Sequence, residues 1–209
     1  MSDPSQYRIS VDLDGVTFDF HGAYMAAYAK EFNQSIPPAH LLAWNTPLDH
    51  THFESYDDFF AWVDERNIWA NSPMIEGAQD GIDELLDSGY DVWFMTARQG
   101  LGAQWTREWF HDSPWHADVT LATDMHDKTE LNAHAYVDDR PKTLLQVDQT
   151  TDALPICFLQ PWNDSGDKWK LDAGDFDPPA PSARVVAARG WKDVVKAIHL
   201  DFSNKTKST

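Results

Sequence analysis

Short apolar runs typical of strands alternate with segments of helical spacing along most of the chain. Such alternation predicts an α/β fold, in which helices connect parallel strands and cover both faces of the sheet. Ligands of these sheets bind beyond the carboxyl ends of the strands, so polar residues that follow a predicted strand become candidates for a site. The predicted strands are 7–13, 90–95, 119–122, 135–137 and 156–159, and the predicted helices are 18–32, 78–88, 104–111 and 191–200.

One segment interrupts the alternation. Residues 33–72 are rich in aromatic residues and proline and show no strand pattern, so we predict a small helical cap insertion over the strand ends. The core domain would then consist of residues 1–32 and 73–202. We expect residues 164–187 to form a long loop and the polar residues 203–209 to form a disordered tail.

Charge and cysteine content narrow the class of protein. The net charge of -18 disfavours binding to long phosphate polymers or anionic membranes, which require basic patches. The single cysteine, Cys157, allows no intramolecular disulfide, which suits a reducing compartment. No apolar run approaches the ~20 residues of a membrane helix, and the polar N-terminus lacks the apolar region of a signal peptide. We therefore expect a cytoplasmic protein whose partner is a small molecule.

The most informative motif is residues 11–16, Val-Asp-Leu-Asp-Gly-Val, directly after the first predicted strand. Gly15 permits a turn there, which places Asp12 and Asp14 beyond the strand end. Two carboxylates favour a hard cation such as Mg²⁺. One carboxylate can act as a nucleophile that forms an aspartyl-phosphate, and the other can hold a proton for the leaving alcohol. Alone, the motif is equally compatible with an Asp-rich surface turn.

Three further residues lie at a predicted strand end or in the following loop. The Thr96 hydroxyl can bind a phosphate oxygen, although threonine is also a common helix N-cap. Lys128 can neutralise phosphate charge, or be an ordinary solvated lysine. Asp138 can complete a magnesium site with Asp12, or belong to a turn before a helix that starts with proline. Their joint occurrence in this order favours a phosphate-handling site.

These four motifs resemble those of the haloacid dehalogenase (HAD) superfamily over residues 7–145. The resemblance implies a Rossmann-like parallel sheet and a magnesium-dependent phosphatase with Asp12 as nucleophile. It also assigns roles to the other motif residues. Asp14 is the general acid and base, and its backbone carbonyl joins Asp12 and Asp138 in holding Mg²⁺. Asp139 supports the metal site, and Thr96 and Lys128 bind the phosphoryl group. Apart from the resemblance, Ala97 and Arg98 of the loop after Thr96 are further candidates for phosphate binding, with a salt bridge as the alternative role of Arg98.

Several segments resemble bacterial and phage 5'(3')-deoxyribonucleotidases more specifically. They are Asp-Leu-Asp-Gly-Val at 12–16 with Asp-Phe at 19–20, Pro-Met-Ile-Glu-Gly-Ala at 73–78, Asp-Lys-Thr at 127–129, Val-Asp-Asp-Arg-Pro at 137–141, Phe-Leu-Gln-Pro-Trp-Asn at 158–163 and Gly-Trp-Lys at 190–192. This resemblance implies a nucleoside monophosphate substrate, with Phe20 stacked on the base and Trp44 and Trp69 lining the pocket. The sequence Thr-Ala-Arg at 96–98 departs from the Thr-Ser-Pro frequent in that family.

Alternative functions remain open at this point. The same chemistry would serve another small phosphate ester or a 3'-phosphate end of a nucleic acid. A non-catalytic binding protein on the same fold is a further alternative, because fold does not determine function. The sequence leaves the preferred base and sugar, the 5' or 3' position of the phosphate and the oligomeric state undecided, with a homodimer among the alternatives.

Overall fold

Six parallel strands form one sheet in the computed structural model, which describes residues 4–36, 47–123, 127–164 and 184–207. The strands are β1 (Arg8–Asp12), β2 (Asp91–Met95), β3 (Val119–Ala122), β4 (Ala135–Asp138), β5 (Leu154–Phe158) and β6 (Val186–Ala188). Their order in the sheet is β3-β2-β1-β4-β5-β6. The order reverses between β1 and β4, and ligands bind at such a switch point in open α/β sheets. The parallel α/β fold predicted from the sequence is confirmed.

Eight α-helices complete the described part of the chain. They are α1 (Phe20–Phe32), α2 (Pro47–His50), α3 (Tyr56–Glu65), α4 (Ile68–Asn71), α5 (Ala78–Asp87), α6 (Gly100–Asp112), α7 (Pro141–Thr150) and α8 (Trp191–Lys207), with short 3-10 helices at Pro4–Gln6 and Lys128–Leu131. None of these helices is long and apolar enough to cross a membrane.

Helices cover both faces of the sheet, as predicted. Successive strand residues point to opposite faces. In β5, Ile156 and Phe158 pack in a core cluster with residues of α5 and α8, whereas Cys157 packs with Leu144 and Leu145 of α7. The strands are therefore buried on both faces, which explains why they are short continuous apolar runs.

A second apolar cluster lies away from the sheet and joins α1 to the insertion. Tyr24 and Tyr28 of α1 pack there with Phe59 and Trp62 of α3 and with Trp69 of α4. By its packing α1 thus belongs with the helices of the insertion, although the sequence led us to expect a division after residue 32. That domain division remains a prediction.

The structure corrects the sequence prediction at two places after β5. Residues 186 and 187, predicted to end a long loop, belong to edge strand β6, which pairs with β5 through Val186 and Ile156. A strand of three residues is too short to be recognised from its pattern. The predicted disordered tail is wrong for residues 203–207, because α8 continues to Lys207. Phe202 stacks on Tyr7 with centroids 4.4 Å apart and anchors this last part of the helix.

Candidate active site

The loop after β1 is a tight turn that Gly15 makes possible. Its φ is +78°, and a Cβ there would clash with the side chain of Asp139. The Thr17 hydroxyl donates to the Asp12 carbonyl at 2.8 Å, and Phe18 N–H donates to the Leu13 carbonyl at 2.7 Å. The predicted turn is confirmed, and it brings Asp12 to the switch point at the carboxyl end of β1.

Asp12 meets Asp138 and Lys128 at this point. The Lys128 ammonium lies 2.8 Å from Asp12 Oδ1 and 2.7 Å from Asp138 Oδ2. Asp138 ends β4, the neighbour of β1, so the parallel register places both carboxylates at the same edge of the sheet. Asp127, which accepts hydrogen bonds from Thr129, caps the 3-10 helix that begins with Lys128. The lysine is therefore buried and held in place, contrary to the alternative of a solvated side chain.

Asp139 is the third carboxylate of the acidic cluster, and its side chain lies against Gly15 of the turn after β1. Its Oδ2 accepts the indole N–H of Trp162 at 2.9 Å, and the Asn163 amide donates to its carbonyl at 2.6 Å. One carboxylate oxygen each from Asp12, Asp138 and Asp139 lies within 4.8 Å of the others. Sequence reasoning gave Asp139 only a supporting role, and the structure places its carboxylate within the same cluster as the two expected ligands.

Burial and mutual repulsion disturb the titration of these groups. Burial raises the pKa of Asp12 to about 7; Lys128 opposes this rise, while Asp138 and Asp14 add to it. Burial, followed by the charges of Asp12 and Asp138, also holds the pKa of Asp139 well above its usual range. Burial lowers the pKa of Lys128, but the two neighbouring aspartates more than offset this and raise it. The single positive charge of Lys128 is therefore too little to balance the clustered carboxylates.

The donor set fits a hard divalent cation. Carboxylate oxygens are the ligands that Mg²⁺ and Ca²⁺ prefer, and Asp139 Oδ1 is buried without a hydrogen-bond partner among the described residues. Four carboxylates face two cations here, so the formal charge is -2 and one divalent ion would neutralise it. These residues are Asp12, Asp14, Asp138 and Asp139 on one side and Lys128 and Arg98 on the other.

Asp14 is bound by Arg98 and is set apart from the three clustered carboxylates. Arg98 Nε donates to Asp14 Oδ2 at 2.9 Å, and Nη2 donates to Oδ1. The guanidinium of Arg98, considered above as a phosphate contact or an ion-pair partner, thus forms the ion pair. The Asp14 carboxylate lies outside the group of carboxylate oxygens that are close enough to share a metal ion, and its expected contribution through the backbone carbonyl remains a prediction.

The loop after β2 supplies the remaining predicted phosphate contacts. The Thr96 hydroxyl accepts the N–H of Arg98 at 3.2 Å, which leaves its own proton available for a ligand. Ala97 is exposed and lines the same cavity as Thr96, Lys128 and Arg98. The parallel register pairs Asp12 of β1 with Met95 of β2, so this loop begins beside the nucleophile candidate.

A cavity of about 580 Å³ opens above Asp12. Phe20 and Trp69 lie in its wall and stack on each other, with centroids 4.5 Å apart and planes 10° from parallel. Both predicted wall residues are thus brought to the site, whereas Trp44 lies outside the described residues. Other aromatic side chains from α1 and α3 complete the wall: Tyr24, Tyr56, Phe59 and Phe60.

Sequence reasoning missed several residues that support the site. Trp162 and Asn163 hold Asp139, and Gln160 donates to the Gly15 carbonyl at 2.7 Å. His21 stacks on Trp162 with centroids 3.9 Å apart. The segment 158–163 was recognised as a resemblance but given no role, because nothing local to it reveals a contact with residues far away in the chain.

Solved structures of other proteins share this fold. Solved structures with similar folds include a predicted phosphatase from Clostridium acetobutylicum (TM-score 0.56, 14% identity, 92% of this chain and 97% of that chain). A haloacid dehalogenase-like hydrolase from Streptococcus pneumoniae matches with a TM-score of 0.54 and 14% identity, over 92% of this chain and 98% of that chain. The fold is therefore HAD-like, as the sequence motifs implied.

Sequence comparisons go further than the fold. A protein of Chlorobaculum tepidum named "Putative 5'(3')-deoxyribonucleotidase" is 26% identical over 161 residues, which cover 72% of this chain and 77% of that protein. The family model described as "5' nucleotidase, deoxy (Pyrimidine), cytosolic type C protein" matches residues 6–170, most of the chain and all of the acidic cluster. The chain therefore belongs to this 5'-nucleotidase family of HAD-like phosphatases and is a phosphoric monoester hydrolase.

Proposed function

We propose that the protein is a magnesium-dependent nucleotidase that removes phosphate from (deoxy)nucleoside monophosphates through an aspartyl-phosphate intermediate. The observation that carries this proposal is the position of Asp12. Its carboxylate lies at the sheet's switch point, 2.8 Å from the Lys128 ammonium, at the base of a cavity with aromatic walls. This arrangement combines a nucleophile, charge stabilisation and a surface for an aromatic group.

The residues of the cluster suit the steps of such a reaction. Asp12 attacks phosphorus as the carboxylate, and the neighbouring Lys128 favours that ionised form. Asp14 gives a proton to the leaving oxygen and takes one back from the water that hydrolyses the intermediate. Thr96 donates to a phosphoryl oxygen, together with the backbone of Ala97. Mg²⁺, held by Asp12, Asp138 and Asp139 or the Asp14 carbonyl, would neutralise charge on the phosphoryl group.

The proposed substrate class follows from the walls of the cavity. Phe20 and Trp69, which stack on each other, give the cavity an aromatic wall against which a nucleobase can pack. Asp57 and Asp64 also line the cavity, and Asp64 accepts the Trp69 indole N–H at 2.7 Å. Carboxylates in the wall disfavour a second phosphate or a longer nucleic acid, because like charges repel at short range. A nucleoside with one phosphate fits this charge distribution.

A panel of phosphate monoesters assayed with Mg²⁺ tests the proposal. It should contain 5'- and 3'-deoxynucleoside monophosphates, ribonucleoside monophosphates, sugar phosphates and an oligonucleotide with a 3'-phosphate. We expect the highest kcat/KM for a nucleoside monophosphate, and a loss of activity when the metal is chelated. Higher kcat/KM for a sugar phosphate or for the oligonucleotide would refute the substrate assignment, and activity that survives chelation would refute the metal dependence.

The same proposal includes a cytoplasmic location, where nucleoside monophosphates are found. The one cysteine, Cys157, is buried between β5 and α7 as a free thiol, which is compatible with a reducing compartment. Fractionation of the source cells would test the location, and recovery of the protein outside the cytoplasm would refute it.

A further inference from the structure

Arg98 is more deeply buried than its role as a surface phosphate contact would require. Its side chain is 1% exposed, and its guanidinium makes three described hydrogen bonds. Two go to the two oxygens of Asp14, and the third goes from Nη1 to the Thr106 hydroxyl at 3.0 Å. Thr106 in turn donates to the Gly102 carbonyl at 2.7 Å, so the first turns of α6 fix the guanidinium.

Aromatic rings cover the Arg98 side of this ion pair, whereas the Asp14 side chain stays 25% exposed toward the cavity. The Arg98 guanidinium carbon lies 4.8 Å from the ring centre of Trp69 and 5.5 Å from that of Trp105. Gly102 lets Trp69 approach, since a Cβ there would lie 2.9 Å from the indole. The faces of such rings attract cations and so stabilise the guanidinium. Because the rings keep water away from Arg98, its attraction to Asp14 is stronger than it would be in water.

We propose that Arg98 is a positioning residue for Asp14, and that it does not bind the phosphate directly. This inference rests on the proposed function, in which Asp14 is the general acid and base. A guanidinium that binds both carboxylate oxygens fixes the plane of the carboxylate. Each oxygen still has a lone pair for a proton, so the bound carboxylate can exchange one with the substrate or water.

Two proton transfers of the proposed reaction depend on the orientation of Asp14. In the first step the bond from Asp12 to phosphorus forms, the ester bond breaks, and the proton of Asp14 passes to the leaving oxygen. In the second step water attacks phosphorus, the bond to Asp12 breaks, and a water proton returns to Asp14. Arg98 contacts both oxygens of Asp14, so it can hold the carboxylate in one orientation toward the leaving oxygen in the first step and toward the water in the second.

The leaving group provides a decisive test. A nucleoside leaves as an alkoxide that needs the proton, whereas p-nitrophenolate leaves without one. We would measure single-turnover release of nucleoside and of nitrophenolate by the wild type and by Arg98→Ala and Arg98→Lys, with steady-state kcat and KM. General acid catalysis contributes about 10²- to 10⁴-fold, so we expect Arg98→Ala to slow nucleoside release about 100-fold. Nitrophenolate release and KM should change less than about 5-fold, because neither depends on this proton transfer.

Matched variants separate positioning from other roles. Arg107→Lys, on the exposed side of the same helix, should leave both rates unchanged. Guanidinium added at millimolar concentration should restore part of the nucleoside release in Arg98→Ala, and ammonium should not. If Arg98→Ala does not fold, Thr106→Val is the second variant. It keeps both bonds from Arg98 to Asp14 and removes the third bond of Arg98 together with the bond from the Thr106 hydroxyl to the Gly102 carbonyl, and it should lower nucleoside release alone by a smaller factor.

Three results would overturn the inference. Equal losses for both leaving groups would mean that Arg98 only supports the structure. A higher KM and weaker inhibition by inorganic phosphate at unchanged kcat would mean that it binds phosphate. Faster turnover by Arg98→Ala would mean that Arg98 restrains Asp14.

Failure of the proposed function can be told apart from failure of this inference. If the wild type cleaves another alkyl phosphate but no nucleotide, the proposed substrate is wrong, and the two leaving groups are then compared with that ester in place of the nucleotide. If it cleaves no ester, both proposals fall.

Discussion

Substitution of Asp12 by asparagine should abolish turnover and yet stabilise the metal-free protein. In the absence of a metal, burial and neighbouring carboxylates raise the pKa of Asp12 from 3.8 to about 7. A group whose pKa rises on folding stabilises the fold when protonated, and this contribution is lost as the pH rises through about 7. At pH 8 the wild type therefore carries an unfavourable buried charge that the neutral amide of Asp12→Asn removes.

The size of this effect follows from the same shift. Each pKa unit corresponds to about 1.4 kcal/mol, so a shift of roughly 3 units sets an upper limit of about 4 kcal/mol. Coupling to Asp139 distributes part of this among the cluster, and we expect a gain of about 2–4 kcal/mol at pH 8. For a chain of this length, such a gain raises Tm by roughly 5–15 °C.

Thermal unfolding with and without Mg²⁺ measures both parts of the prediction. Mg²⁺ at about 100 times its Kd should stabilise the wild type by about 2.7 kcal/mol and the variant by much less. Asp152→Asn, the same chemical change at an exposed position, is the control and should alter neither value. Wild-type turnover by Asp12→Asn would refute the nucleophile. A variant no more stable than the wild type at pH 8 would refute the electrostatic reasoning, and an equal response to Mg²⁺ would refute the metal assignment.

Three other substitutions probe the residues around the cluster. Trp162→Phe removes the 2.9 Å hydrogen bond to Asp139 and should weaken Mg²⁺ binding about 10- to 100-fold in a calorimetric titration; unchanged affinity would contradict this. Gly15→Ala introduces a Cβ at φ +78° that clashes with Asp139, so urea unfolding should show a loss of more than about 1 kcal/mol, and a loss within error would be the opposing result. Burial lowers the pKa of His21 to about 4, so wild-type stability should fall by about 3 kcal/mol as the pH drops from 6.5 through 4; His21→Phe should lose this dependence, and parallel pH curves for the two proteins would show the reasoning to be wrong.

The sequence predicts well which residues meet at the carboxyl edge of the sheet, because most of them are marked by local signals. Asp12, Thr96 and Asp138 each follow a short apolar run, and parallel strands bring their carboxyl ends to one edge of the sheet. Lys128 needs one step more, since its burial depends on the cap that Asp127 provides. A sequence pattern shows that these residues lie near one another, and the structure then adds which atoms meet.

The partners of these residues are harder to predict, because each depends on a contact between distant segments. Arg98 belongs to a recognised motif, but the orientation of its guanidinium toward Asp14 depends on contacts with Thr106 and with the ring of Trp69. Likewise, Trp162 lies 23 positions from the aspartate that it holds. No periodicity or spacing encodes either contact.

The separate packing of the two apolar clusters has a consequence for how specificity can change. The sheet cluster fixes the ends of β1, β2 and β4, and with them the reacting groups. The second cluster, shared by α1, α3 and α4, forms the aromatic wall. Substitutions on that wall can alter the fit of a base without moving Asp12, since residues without shared contacts usually act independently. Trp69 is an exception, because its ring also covers Arg98. A substitution of Trp69 should therefore change the rate of catalysis as well as the substrate preference.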